Sequence, residues 1–221
     1  MQQAHSQTHP RIAFWLVLLV VFLDWTGIGL VYPIFSAMLF HPDCPILHES
    51  TSHALRGWYL GVLLASMSIA QFFSSPILGS LSDQKGRKPI FIITLLLTAV
   101  GYLLSAGAIW GESLGYLILS RVVVGLAAGN ASVVSATIAD LSSHENKTKN
   151  FGLFSMACGV GFTLGPFLGG ELSQFGFAVP FICSAIATLT NTLLMLYYFK
   201  ETHIPDPQTI ARGYLDGFKD V

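Results

Sequence analysis

The strongest constraint on this chain is a series of uninterrupted apolar blocks, each about 20 residues or longer, separated by short stretches of turn residues and charges. A helix rises about 1.5 Å per residue, so one such block spans a hydrocarbon layer of about 30 Å. In lipid, every backbone N–H and C=O must be satisfied within a helix or a closed barrel. Barrel strands alternate polar and apolar residues over short segments, and these blocks do not. Charge is scarce: 10% of the 221 residues are Asp, Glu, Lys or Arg, against about 25% in ordinary soluble domains. That is too little for a water-facing surface of this size, which excludes a soluble globular enzyme. The fold class is therefore an all-α polytopic membrane protein. A formal net charge of −1 offers no basic footprint for nucleic acid. Of the three Cys, Cys158 and Cys183 lie inside apolar blocks, so no disulfide framework is implied.

Six spans are predicted: Ile12 to Phe40, Gly57 to Gly79, Pro89 to Trp110, Gly115 to Ala139, Phe151 to Leu172 and Phe177 to Phe199. The first follows Arg11 but is far longer than the apolar region of a signal peptide, so it reads as a retained span. With the N-terminus inside, the inner segments hold Arg11, Lys85, Arg87, Lys88, Lys147, Lys149, Lys200, Arg212 and Lys219, and the outer loops hold only Arg56. This asymmetry predicts a multi-pass cell-membrane protein with both termini cytoplasmic. Trp58, Tyr59, Trp110 and Tyr116 would anchor the outer border, and Trp15, Tyr197 and Tyr198 the inner one. The domain plan is a cytoplasmic N-terminus (1–11), a six-helix unit (12–199) and a cytoplasmic linker (200–221), in which Ile210, Tyr214, Leu215 and Phe218 have the spacing of a surface-lying helix. Ser75-Pro76-Ile77-Leu78-Gly79-Ser80 recurs as Gly165-Pro166-Phe167-Leu168-Gly169-Gly170, which suggests two three-helix units of opposite orientation. Such three-plus-three inverted repeats are a transporter feature, with substrate sites near the midplane.

Between the second and third spans stands Gly79-Ser80-Leu81-Ser82-Asp83-Gln84-Lys85-Gly86-Arg87-Lys88. It resembles the loop of the major facilitator superfamily written G-x-L-S-D-x-x-G-R-K. Gly79 suits close helix approach, Gly86 suits a tight turn, and Arg87 and Lys88 suit a cytoplasmic face. The resemblance implies that Asp83 bridges to the other six-helix half of the transporter. Gly161-Phe162-Thr163-Leu164-Gly165-Pro166-Phe167-Leu168-Gly169-Gly170 is similar to the superfamily's antiporter signature G-x-x-x-G-P-x-x-G-G. Glycine every four residues makes a groove for another helix backbone, and Pro166 can bend the helix. Generic helix packing is the plainer reading of the same glycines.

Charges inside lipid are costly, which singles out Asp24 and Arg121. At about 1.5 Å per residue, Asp24 lies about 18 Å and Arg121 about 21 Å from the inner boundary. The matching depths predict a pair across the cavity, serving either as a proton-coupling pair or as a structural salt bridge. Arg121 also opens an R-x-x-x-G-x-x-x-G pattern with Gly125 and Gly129, which resembles the superfamily's fourth helix and implies proton coupling. Leu23-Asp24-Trp25-Thr26-Gly27-Ile28-Gly29-Leu30-Val31-Tyr32-Pro33 is similar to the start of tetracycline-type drug/proton antiporters, as are Ile138-Ala139-Asp140 and Phe199-Lys200-Glu201-Thr202. Where those exporters carry an acidic residue before Tyr-Leu-Leu in the third helix, this chain has Gly101, which argues against tetracycline itself.

Tyr32, Gln71, Asn130 and Asn191 are candidate substrate-cavity residues, with Ser132, Ser135 and Thr192 as further polar positions. His41, Asp43, Cys44, His48, Glu49 and His53 cluster in the first outer loop without a recognised metal-ligand spacing, so a solvated loop is the favoured reading and no metal or cofactor is expected. The expected function is proton-coupled export of small amphipathic drugs, with the bilayer, a small solute and protons as partners. No enzyme is expected, because no nucleophile and base or cofactor loop appears in the spans. The superfamily transports through two six-helix halves, so a second half is a further expected partner, as a separate chain or a second copy. On this reading Asp83 and the glycine groove await that half. The alternatives are a truncated, non-transporting fragment, or a superfamily transporter of another small solute.

Overall fold

A computed structural model describes residues 10–42, 44, 46–48 and 50–203. Its elements are α1 (Pro10–Phe40), α2 (His53–Lys85), α3 (Arg87–Trp110), α4 (Leu114–Ala128), α5 (Ala131–Asp140), α6 (Lys147–Ser173) and α7 (Val179–Tyr198). There is no strand among the described residues. Each helix follows from a long apolar run with turn chemistry at its ends. Ser52 caps α2 by accepting the Leu55 N–H at 3.3 Å, Gly86 ends it at φ 93°, and Pro180 sits in the first turn of α7, where no N–H is needed. α4 and α5 together make one membrane-length span, Leu114–Asp140, so six helices or helix pairs among the described residues are long and apolar enough to cross a membrane.

The fourth span is present as expected, with a tighter, three-residue turn inside it at Gly129 and Asn130, where the Asn130 N–H returns to the Ala127 carbonyl at 3.0 Å. One expectation changes. The glycine-aspartate segment after the second span is not a loop: α2 continues helical through Lys85, leaving Gly86 as the only residue between α2 and α3. The proposed surface helix after residue 203 lies outside the described residues.

α1 packs chiefly on α6, α2 on α4, and α3 on both α4 and α7. Exchanging the first three spans with the last three maps the α1–α6 contact onto the α2–α4 contact and the α3–α7 contact onto itself. That is the pairing a three-plus-three repeat requires. Both repeated contacts are built on glycine. A Cβ on Gly161 would lie 2.6 Å from the Phe22 carbonyl oxygen, and one on Gly165 2.5 Å from that of Thr26, both on α1. On Gly125 of α4 it would lie 2.3 Å from the Met67 carbonyl oxygen of α2. With backbone on the other side, only glycine lets these helices approach so closely.

Two apolar clusters fill the bundle, one toward each end. The first holds Val17, Val21, Phe91, Leu95, Ile138 and Met195; the second holds Leu30, Phe35, Leu63, Ile109, Leu117 and Phe181. On each of α1, α3 and α7 the residues between the clusters include the polar ones: Asp24 and Thr26, Thr98, and Thr188 and Asn191. Gln71 and Arg121 fall in the same intervals of α2 and α4. The polar side chains thus form a layer midway along the spans. Outside, large apolar side chains such as Phe72, Phe73, Ile93 and Phe167 are more than half exposed, as lipid-facing positions must be.

Candidate transport site

The polar layer borders a half-open cavity of about 300 Å³. α1 supplies Asp24, Trp25, Ile28 and Tyr32, α2 supplies Gln71, the broken fourth span supplies Asn130, and α6 supplies Phe154 and Phe162. The break aims Asn130, whose side-chain Nδ2 donates to Asp24 Oδ2 at 3.1 Å. Gln71 braces the same point, donating to the Ala128 carbonyl at the end of α4 at 3.2 Å. Trp25 and Phe162 meet edge to face at 6.2 Å between centroids. The cavity therefore has an aromatic wall, a carboxylate held by an amide, and two further polar side chains. Apolar walls with a few convergent polar groups are the usual composition of a small-molecule site.

Arg121 does not pair with Asp24. It is 1% exposed, its Nη2 donates to Ser105 Oγ, and its Cζ lies 5.3, 5.9 and 5.5 Å from the ring centroids of Phe35, Tyr102 and Phe181. Its Nε and Nη1 have no hydrogen-bond partner. Helix rise sets depth, and both charges do lie in the polar layer, but depth does not set direction. Packing of α4 on α3 turns Arg121 toward Ser105 and the rings, while the break in the span offers Asn130 to Asp24. Tyr102, one of these rings, reaches α1, where its hydroxyl lies against Gly27. Arg121 borders a smaller recess of about 60 Å³, whose lining shares Ile28, Tyr32 and Gln71 with the main cavity.

At the far end of α2, Arg87 Nη1 donates to Asp83 Oδ1 at 2.6 Å and to Ser82 Oγ, and Nε donates to Asp140 Oδ2 at 3.2 Å. Glu201, just past α7, accepts the N–H groups of Arg87 at 2.7 Å and Lys88 at 3.0 Å. Lys88 Nζ reaches the Leu196 carbonyl at 2.9 Å, and the His203 ring lies 3.2 Å from the Asp83 carbonyl oxygen. This clasp ties the ends of α2, α3, α5 and α7 together. Asp83 is therefore partnered within the chain.

The profile of the Major Facilitator Superfamily matches residues 14–215. The chain belongs to this superfamily. It is 35% identical over 187 residues to the class H tetracycline resistance protein of Pasteurella multocida, covering 85% of this chain and 44% of that protein. It is 36% identical over 162 residues to the quinolone resistance protein NorA of Staphylococcus aureus, covering 73% of this chain and 38% of that one. The chain thus spans less than half the length of these curated relatives. Among solved structures, the human organic anion transporter MFSD10 superposes with a TM-score of 0.75 at 25% identity, covering 96% of this chain and 53% of that one. The transporter PepTSo superposes at 0.73 and 20% identity, a likeness of fold.

The other motif residues of this facilitator now have positions. Gly161, Gly165 and Gly169 are buried against α1, so the groove expected to await a second half is already filled by the chain's own first span. Pro166 and Gly170 lie on the exposed face of α6, and nothing stands within 4 Å of a Cβ placed on Gly170. Gly79 faces Ser132 of α5 at 3.3 Å from such a Cβ, the close approach its place in the motif predicts. Asn191 is 1% exposed with both side-chain groups unpartnered, and lies outside the linings of both cavities. Ser132 bonds the Ser75 carbonyl at 2.9 Å, a helix-packing contact. Gly101 is pressed on α4, where a Cβ would lie 2.5 Å from Val124 Cγ2, so this position has no room for the acidic residue of the tetracycline exporters. In the outer loop, Asp43 and Glu49 lie outside the described residues, and Arg56 binds the Thr51, Leu39 and His48 carbonyls. Tyr102, Ser105, Phe162 and Glu201 were given no role by sequence reasoning. A serine four residues after Gly101 in an apolar helix was the only local signal for Ser105.

Proposed function

We propose that this facilitator is one half of a proton-coupled exporter of small amphipathic drugs or related solutes, set in the cell membrane with both termini cytoplasmic. The observation that carries the reading is Asp24: a carboxylate on the wall of a 300 Å³ cavity, hydrogen-bonded to an amide and joined to no cation. A charge in such a place is costly, so it is neutralised either by a proton or by the cationic part of a solute. Competition between the two at one carboxylate is the simplest form of antiport. Trp25, Tyr32 and Phe162 offer the solute apolar surface, and Gln71 and Asn130 offer hydrogen bonds. Arg121 lies in the same polar layer, on the wall of a recess that shares Ile28, Tyr32 and Gln71 with the Asp24 cavity. The chemistry of the cavity and the likeness to drug-resistance proteins both support export of an amphipathic solute, and Gly101 favours one other than tetracycline.

The full transport cycle requires a second six-helix bundle, since the relatives are more than twice as long as the matched region. The clasp at Arg87 and Asp83 braces the face that resembles the superfamily's inter-half loop. The test is dye efflux in exporter-deficient bacteria, with a second six-helix half supplied in the same polypeptide. Asp24→Asn is expected to lower proton-driven efflux by about tenfold or more, equivalent to about 1.4 kcal/mol or more, while membrane levels stay unchanged. Undiminished uphill efflux by that variant refutes the reading.

A further inference from the structure

Arg121 is a cation buried to 1% exposure whose donors exceed its acceptors. A guanidinium carries five N–H donors in a planar fork suited to two oxygen atoms. Here Nη2 has one serine hydroxyl, while Nε and Nη1 have nothing. That hydroxyl is itself engaged, since Ser105 Oγ bonds both Ser120 Oγ at 2.9 Å and the Gly101 carbonyl at 2.8 Å. No carboxylate of the described residues forms an ion pair with Arg121. Three aromatic rings surround the cation, which gives partial compensation without offering an acceptor.

The position adds the second observation. Arg121 lines the 60 Å³ recess, which is walled by apolar side chains such as Val31, Leu63 and Met67 and shares Ile28, Tyr32 and Gln71 with the 300 Å³ cavity. A small recess with one cation adjoins a larger aromatic chamber. The recess has room for a head group, and the chamber has room for a ring system.

We infer that Arg121 is the receptor for an anionic group: the carboxylate of a zwitterionic amphipathic solute whose apolar body fills the main cavity and whose cationic part meets Asp24, or a free halide ion using the same donors. A carboxylate oxygen can accept a charge-assisted hydrogen bond from Nε or from Nη1, which point to opposite edges of the guanidinium, so one carboxylate uses one of these edges. The site does not depend on the transport reading; only the statement that the carboxylate belongs to an exported solute rests on it.

The test uses the purified 221-residue chain in lipid nanodiscs, with its unfolding midpoint followed by intrinsic fluorescence in a gluconate background of constant ionic strength. Benzoate is expected to raise the midpoint saturably, and uncharged benzamide to leave it unmoved. Chloride supplies the second arm. A chloride response that benzoate competes away identifies a general small-anion site, and a benzoate response alone identifies an organic-carboxylate site. Arg121→Lys, which keeps the charge but not the planar fork, is expected to bind benzoate more weakly than the parent chain and more tightly than Arg121→Gln, which should lose about tenfold or more. In gluconate the Arg121→Gln midpoint should match or exceed that of the parent chain, which separates lost binding from lost folding. Equal responses to benzoate and benzamide on the unaltered chain, or a full benzoate response in Arg121→Gln, overturn the inference. Failure of Asp24→Asn to impair efflux would leave it standing.

Discussion

Arg87 and Arg121 are buried almost equally, at 4% and 1% exposure, yet their surroundings have nothing in common. Arg87 sits between two carboxylates and a serine, each within hydrogen-bond distance of an assigned nitrogen. Arg121 has one serine, three aromatic rings and two idle nitrogens. Burying a charge is costly in both places, but only Arg87 is compensated within the chain. Degree of burial therefore says little about what a buried charge is for. A satisfied cation holds helix ends in register, and an under-satisfied one in a cavity wall retains capacity for something that is not part of the chain.

The largest expected effect tests the satisfied member. Arg87→Gln leaves Asp83 and Asp140 without their shared cation and removes hydrogen bonds from the start of α3 to the ends of α2 and α5. Asp83 is 48% exposed and Asp140 29% exposed at the side chain, so solvent softens the loss. A decrease in stability of about 2–4 kcal/mol is expected, read as a lower unfolding midpoint in nanodiscs and a smaller membrane yield. Unchanged stability would mean that the clasp is ornamental and that the contrast with Arg121 has no energetic content.

Why one arginine could be read from sequence and the other only in part is a matter of range. The spans were legible because lipid leaves a backbone few choices, and the helices from Arg87 to Trp110 and from Val179 to Tyr198 lie within two residues of the apolar blocks that predict them. The pairing of Arg87 with Asp83 spans four residues of sequence, within reach of local reasoning. Asp140 and Glu201 come from 53 and 114 residues away, and no local signal marks them as its neighbours. The glycines of α6 were legible as packing glycines, but their partner was not. A stripe of small residues announces close approach without saying to what, and the answer is the chain's own α1. For Asp24 and Arg121, depth could be counted and direction could not. The break at Gly129 and Asn130, which gives Asp24 its amide partner, has no proline to announce it.

A smaller effect sharpens the account of the clasp. The N-terminus of α3 begins after Gly86, which has no side chain to cap the first free N–H groups. Glu201 fills that role from beyond α7, accepting from Arg87 and Lys88 and placing negative charge at the positive end of the helix. Glu201→Ala is expected to cost about 1–2 kcal/mol, read as a lower unfolding midpoint and faster amide exchange at the start of α3. Glu201→Gln, which keeps an acceptor oxygen, should recover part of the loss. An equal loss in both variants would assign the effect to charge alone.

The smallest effect belongs to Arg121, and its sign carries the contrast. Removing a buried arginine ordinarily strands the groups it served, which is what makes Arg87→Gln costly. Here the only hydrogen-bonding group left behind is Ser105 Oγ, which keeps its bonds to Ser120 and the Gly101 carbonyl. The substitution also abolishes a buried charge that no acid offsets, while forfeiting the contacts with the three rings. These terms oppose each other, so Arg121→Gln should lie within about 1 kcal/mol of the parent chain, on the stabilised side. The measurement is the unfolding midpoint of the two arginine variants in the same nanodiscs and in gluconate. A loss at Arg121 as large as that at Arg87 would mean that the guanidinium is held by the bundle after all, and that its idle nitrogens are not available to a ligand.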